Sequence, residues 1–239
     1  MLRGLYAAAT GMEAASNAHE VTSRNLAHAS VPGFRKALLS FEALRNPSAP
    51  EGEDDLAGAQ MNAPAIDFTP GPMNRTGAPL DLALDGDGFF VVNGPDGPLY
   101  TRSGTFQLDG TGQLITPDGL TVQSTSGTLT IPANTPVGEI LVGVDGTIRV
   151  GAEEIGKLEI RSFATPQSLR SVGATLFEAP LDLVAQPAEA RVLQGTREMS
   201  NVSAVSELVN LIAAQRHYEM SQKAATSMDR AAQKRIDLN

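Results

Sequence analysis

From Ser200 to Asn239 the chain contains neither Gly nor Pro, so one helix of about 35 residues can run through the segment without a break. Ser200 or Asn201 supplies the side-chain oxygen that caps such a helix at its start. Val202, Val205, Val209 and Ile212 recur at alternating steps of three and four, while Leu211, Tyr218, Ala225 and Ala232 recur at sevens with Met228 three beyond Ala225. Two stripes on one helix predict two neighbours. An uninterrupted helix this long exceeds the usual globular range and points to a coiled coil or a filament subunit. Gln215, Arg216, Tyr218 and Glu219 cluster at mid-helix, where Arg216 and Glu219 are read as an i, i+3 ion pair rather than as catalytic groups.

The first segment carries a matching repeat. Leu5, Met12, His19 and Leu26 fall seven apart, and Ala8, Ala15, Thr22 and Ala29 follow three residues on. These are a and d positions over four heptads, which predict a helix over 4–30 with one seam turned to a partner. Its d series is small, so the helix buries little area and depends on its partner for order. Pro32 and Gly33 end it. A terminal helix packed only on its own domain satisfies the same periodicity.

Between the helices the composition changes. Residues 46–79 are rich in Pro, Gly, Ala and acidic side chains with weak periodicity, and the whole of 37–79 is expected to be an extended linker. From Leu80 to about Glu178, short apolar runs alternate with turn chemistry at Asp85–Gly88, Pro95–Gly97, Asp109–Gly110, Pro117–Gly119 and Asp145–Gly146. Gly and Asp tolerate the positive φ of tight hairpins, so this spacing predicts antiparallel strands, foremost Phe89–Val92, Leu99–Thr101 and Gly138–Val144. The expected fold class is α+β: N- and C-terminal α-helices pairing as a coiled coil, with an inserted, mostly antiparallel β domain. The expected segments are 1–36 (helix and turn), 37–79 (linker), 80–199 (β domain) and 200–239 (long helix).

Composition narrows the chemistry. Without cysteine there is neither a disulfide framework nor a thiolate metal site. The net charge of −9 argues against nucleic acid, whose binding rests on clustered Lys and Arg. Residues 1–40 hold four basic and two acidic side chains and residues 197–239 six and five, so the ends sum to +3 and the middle to −12. Like copies therefore repel least through their ends. No stretch approaches the roughly 20 apolar residues of a membrane span, and Gly4, Thr10 and Gly11 interrupt the opening residues, so neither membrane insertion nor a cleaved secretory signal is expected.

Reactive constellations are sparse. His19, His28 and His217 lack metal-ligand spacing, and no metal or cofactor is expected. Asp85-Gly86-Asp87-Gly88 opens like a calcium loop but lacks its later ligands and reads as a tight turn before a strand. Asp81, Asp85 and Asp87 are the one carboxylate cluster that a glycan hydrolase could use, and a non-enzyme is expected instead. Phe34, between Gly33 and Arg35-Lys36, either anchors a neighbouring subunit or folds back on its own helix.

Three separated segments resemble one family. Ser23-Arg24-Asn25-Leu26-Ala27-His28-Ala29-Ser30-Val31-Pro32-Gly33-Phe34-Arg35 resembles the amino-terminal signature of flagellar rod and hook proteins, of the form SNNLANxxTxGFK. Asp81 to Val92, then Tyr100 to Gly104 and Gly112 to Leu114, is similar to their shared β-domain motif, and Ser200 to Val205 with Gln215 to Glu219 is similar to their carboxy-terminal helix. Arg24 and His28 stand where the family has Asn, Val31 where it has Thr, and Ser203 where it has Asn. The resemblance implies a structural subunit that leaves the cell through the flagellar type III export apparatus, without a cleaved signal peptide. It implies assembly in the periplasm, with copies of itself and neighbouring rod subunits, into the drive shaft between motor and hook. The short chain and its Pro-Gly-Phe turn are most like the proximal-rod members, with the distal-rod members close behind. Assembly is then expected through Leu5, Met12, Asn25, Leu26, Gly33 and Phe34 of the first segment and Asn201, Val202, Val205, Val209, Ile212, Gln215 and Tyr218 of the last. A β-rich surface or phage-tail binding module, oligomerised by its helices, is the rival from another class.

Overall fold

The computed structural model describes residues 2–39, 41–45, 56–61, 64–132 and 135–236. The chain forms two compact units: a helical unit of Met1–Ala27, Lys36–Asp67 and Val202–Asn239, and a β unit of His28–Arg35 and Phe68–Asn201. The fold is α+β, with a helix near each end of the chain and antiparallel strand pairing throughout.

In the helical unit, α1 (Leu2–Ala27) and α2 (Ala204–Ile236) pack against each other. Small residues of α1 form the contact: Ala8, Ala15 and Thr22 are buried, with Gly4 before them and Gly11 between Ala8 and Ala15 in the series. A Cβ on Gly11 would lie 2.9 Å from the Ser221 hydroxyl oxygen, and one on Gly4 would lie 2.8 Å from the Met228 sulfur. From α2 the seam receives Glu207 and Ala214, both buried, and the half-buried Leu211, Ser221, Ala225 and Met228. Close approach thus selects the small series. The larger series lies to one side, with Leu5 and His19 exposed and Met12 and Leu26 half-buried.

Both helix ends fall short of the sequence expectation for definite reasons. α1 stops at Ala27, and turn hydrogen bonds from Val31 to the His28 carbonyl and from Phe34 to the Val31 carbonyl replace its next turn, since Pro32 disfavours helical backbone before it. α2 starts at Ala204, where Ser203 caps it: its hydroxyl oxygen accepts from the Ser206 N–H at 3.4 Å. Asn201 is engaged elsewhere, its amide donating to the Thr69 carbonyl at 3.1 Å.

The segment expected to be an extended linker contains paired strands. β1 (Ala37–Leu38) pairs with β4 (Ala65–Ile66), and β2 (Phe41–Arg45) with β3 (Leu56–Met61), all within the helical unit. Residues 40, 46–55 and 62–63 of that segment lie outside the described residues. β5 (Met73–Arg75) already belongs to the β unit, where it pairs with Thr196–Glu198.

The β unit is built around a six-stranded sheet. Its order is Arg170–Ser171, Leu176–Glu178, β8 (Pro98–Thr101), β7 (Phe89–Asn93), Ile160–Ser162 and Gln186–Pro187, every neighbour antiparallel. Central β7 is buried from Phe89 to Val92, and the two sides of its pleat face different cores. Phe90 and Val92 join an aliphatic core with Leu82, Leu114, Ile131 and Ile148. Phe89 joins an aromatic cluster with Phe68, Phe163 and Phe177, at centroid distances of 5.6 to 6.0 Å. β6 (Leu82–Asp85) pairs with Arg191–Gln194, and a three-stranded meander of Ile140–Val142, Thr147–Val150 and Glu153–Lys157 completes the unit.

Candidate assembly interface

Two buried glutamates organise the segments that run between the units, one in each. In the helical unit Glu207, on the first turns of α2, receives Lys36 Nζ at 2.6 Å and the Asn25 amide at 3.5 Å. Asn25 holds the chain beyond the turn as a strand would, donating to the Ala37 carbonyl and accepting from the Ala37 N–H, both at 2.9 Å. One amide side chain thereby joins the end of α1, the start of β1 and α2.

In the β unit Glu198 plays the corresponding part. Its Oε1 accepts from Arg35 Nη2 at 2.5 Å and from the Gly71 N–H at 3.0 Å, and Arg102 Nη1 lies 3.7 Å from its Oε2. The last separation is an ion pair without a hydrogen bond, and Glu198 Oε2 and Arg35 Nη1 have no hydrogen-bond partner among the described residues. Arg102 also donates to the Leu84 and Gly86 carbonyls and lies over the Phe89 ring. Burial pushes its guanidinium below the usual value, and the Glu198 charge opposes that shift. The turn leading to Arg35 has no spare room. Gly33 has φ +75°, its N–H donates to the Glu198 carbonyl at 2.8 Å, and a Cβ there would fall 2.2 Å from the Ser103 nitrogen. Phe34 takes the inward alternative: it is 5% exposed and stacks on His28 at 4.8 Å.

The residues singled out from the sequence therefore separate into two groups. Asn25, Gly33, Phe34 and Val202 are buried, and Met12, Leu26 and Asn201 are half-buried. Leu5, Val205, Val209, Ile212, Gln215 and Tyr218 are exposed. Val205 at 73%, Val209 at 62% and Ile212 at 52% form a stripe on the face of α2 turned away from its seam with α1. From Val205 to Ile212 the one charged residue is Glu207, which is buried, so this part of the exposed face carries no charge, and Arg216 follows one turn beyond Ile212. Apolar surface with charge depleted at its centre is the composition of a protein interface core.

The carboxylates that a hydrolase would need do not form a free pair. Asp81 is buried, with its oxygens 2.8 Å from Arg197 Nε and 2.5 Å from the Thr76 hydroxyl, whereas Asp85, at the end of β6, and Asp87, on the turn before β7, are exposed. Among the described residues no group of three or more His, Asp or Glu side chains could hold a metal ion, and no helix is long and apolar enough to cross a membrane.

Known proteins match along nearly the whole chain. Residues 83–150 match the family described as the flagellar hook protein FlgE/F/G D1 domain, and residues 193–238 the flagellar basal body rod FlgEFG protein C-terminal family. The flagellar basal-body rod protein FlgG of Bacillus subtilis is 30% identical over 100% of this chain and 99% of its own length. FlgG of Borreliella burgdorferi is 31% identical, covering 96% of each chain, and the flagellar basal-body rod protein FlgF of Escherichia coli is 35% identical, covering 92% of each. The chain belongs to the flagellar basal-body rod protein family.

In this rod-family chain the two glutamates, Lys36 and Arg102 are the residues that sequence reading passed over. A signal existed for one pair. Arg35 and Lys36 are the adjacent cations that close the Gly-Phe turn, and each finds a buried glutamate, at 198 and 207, in a different unit. Arg102 stands in the Tyr100 to Gly104 part of the family motif, but its pairing with Glu198 left no local signal, because it depends on strands brought together from distant parts of the chain.

Proposed function

We propose that this chain is a structural, non-enzymatic subunit of the bacterial flagellar basal-body rod, which self-assembles through its terminal helices into the axial shaft that transmits torque from motor to hook. The end-to-end correspondence with relatives named as rod proteins carries this reading, because it includes both helices and the β unit between them. The uncharged stripe of α2 supports it, and Leu5, Val205, Val209, Ile212, Gln215 and Tyr218 are the contacts accessible to a neighbour. Asn25, Gly33, Phe34 and Val202 act indirectly, by setting the conformation in which those contacts are presented. Met12, Leu26 and Asn201 lie at the margins of the contact. Continued assembly would wind the helices of successive copies into a coiled-coil inner wall, since contacts that do not close into a ring propagate a filament.

The partners on this reading are further copies, neighbouring rod subunits and the flagellar type III export apparatus, with the assembled form in the periplasm after export without a cleaved signal. Relatives named FlgG and FlgF match at comparable identity, so a distal, FlgG-type position is supported as well as the proximal, FlgF-type position suggested by the short chain and its Pro-Gly-Phe turn. Complementation of strains lacking FlgF or FlgG separates the two. The rod reading itself is tested by a chain terminated after Ser203, which should be made but be missing from isolated basal bodies that contain the full-length chain. Incorporation of the shortened chain would overturn assembly through α2.

A further inference from the structure

Besides the outward stripe, the helical unit carries an apolar groove of about 540 Å³ along the seam between its helices. Its floor and walls include Gly11, Ala14, Ala15 and Ala18 of α1 and Ala213 and Ala214 of α2. Side chains this small leave holes of the size that larger ones fill. At 1.5 Å per residue the α1 side of the groove, from Gly11 to Asn25, is about 21 Å long, and the stripe from Val205 to Ile212 is about 10 Å long.

We propose, resting on the rod reading above, that the Val205, Val209 and Ile212 stripe of one copy docks into the Gly11–Ala18 groove of a second copy. Three observations favour a second copy. Knobs and holes occur on the same chain, yet stripe and groove lie on different faces of α2, so no copy fills its own groove. From Val205 to Ile212 the stripe bears no exposed charge, and the charged side chains that line the groove, Lys36 and Glu207, are paired with each other at 2.6 Å. The chain also concentrates its −12 in the middle and leaves its ends at +3, so like copies meet most favourably here. A contact between two different patches is heterologous, and repeated without ring closure it extends indefinitely.

The chain has no cysteine, so any disulfide made by single-cysteine variants is defined by the substitutions. Full-length V205C and V209C copies would each be co-produced with A14C or A18C copies in flagellated cells lacking the unsubstituted chain, and basal bodies isolated after mild oxidation. A mixed dimer, at least tenfold more abundant than in either variant alone, is expected for one or more of the four pairings. Dimers of V205C or V209C alone would show stripe meeting stripe and overturn the proposal. So would variants that enter the basal body yet form no mixed dimer, or that cross-link to a different protein. The unsubstituted chain is followed in parallel. Its presence in basal bodies without mixed dimers defeats the docking alone, whereas its absence defeats the rod reading and the docking with it.

Discussion

Glu198 sets one buried negative charge against two buried arginines, Arg35 and Arg102, so the consequences of its removal are steep. Glu198→Gln keeps the shape but leaves both guanidinium groups without a buried counter-charge, and should cost about 3–5 kcal/mol, read from urea unfolding of the isolated subunit. A loss under about 1 kcal/mol would mean that water already screens the site. Gly33 is constrained twice. Gly33→Ala adds about 1–2 kcal/mol of left-handed backbone strain and about 1–3 kcal/mol for the collision with Ser103; unchanged stability would show that the turn relaxes. Asp109 offers a test against pH. The Gln113 N–H, and next the Thr111 hydroxyl, hold its carboxyl below the usual value. A depressed folded-state value gives stabilisation that is full above the unfolded value of about 3.9 and disappears as pH falls through the folded one. The stability gap between the natural chain and Asp109→Asn should therefore be constant near neutrality and close at acid pH; a gap that persists at pH 2 would assign it to something other than ionisation. At this scale most turn chemistry was legible beforehand, since Gly86, Gly97, Gly119 and Gly146 adopt positive φ where Asp-Gly signals stand, whereas at Asp109-Gly110 the positive φ falls on Gly112 instead. The two glutamate clamps were not, because a carboxylate 163 residues away from its arginine leaves no local pattern.

Between elements, periodicity established that α1 and α2 exist without establishing which stripe of α1 would be covered. Both the Leu5–Met12–His19–Leu26 series and the Ala8–Ala15–Thr22 series repeat at seven, and size alone favours the larger as the core. The structure selects the smaller because Gly4 and Gly11 extend it, and a continuous small face lets the helix backbones approach. The extended linker expected over 37–79 hid short strands for a related reason: pairs of two residues, such as β1 with β4, carry no alternation to read. Two substitutions distinguish the faces of the helix pair. Gly11→Leu should overfill the seam at Ser221 and lower stability by about 1–3 kcal/mol. Val209→Asp, on the exposed stripe, should change the stability of the isolated subunit by less than about 0.5 kcal/mol while abolishing incorporation into basal bodies. Normal motility with Val209→Asp would remove the stripe from the assembly contact.

At the scale of the whole chain, the two units are stabilised very differently. The helical unit buries Ala8, Ala15, Val21 and Ala214 at its seam, whereas the β unit buries Leu82, Leu84, Phe90, Ile131, Ile140 and Ile148 among others. Apolar stabilisation scales with the area removed from water, so an alanine seam supports far less free energy than a core of Leu, Ile and Phe. The exposed stripe adds to the imbalance, because its stabilisation arises only when a partner covers it and is then governed by mass action. The isolated subunit should consequently open from its helices first. In native-state hydrogen exchange, amides of α1 and α2 should exchange at least tenfold faster than those of β7 and β8, a difference of about 1.4 kcal/mol or more in opening free energy. Incorporation into the basal body should slow the helical amides and leave β7 and β8 nearly unchanged, since only the former gain a partner. Equal opening free energies for α2 and β7 in the isolated subunit would mean that the units unfold as one, and the division of labour between a self-sufficient β unit and a partner-dependent helical unit would have to be abandoned.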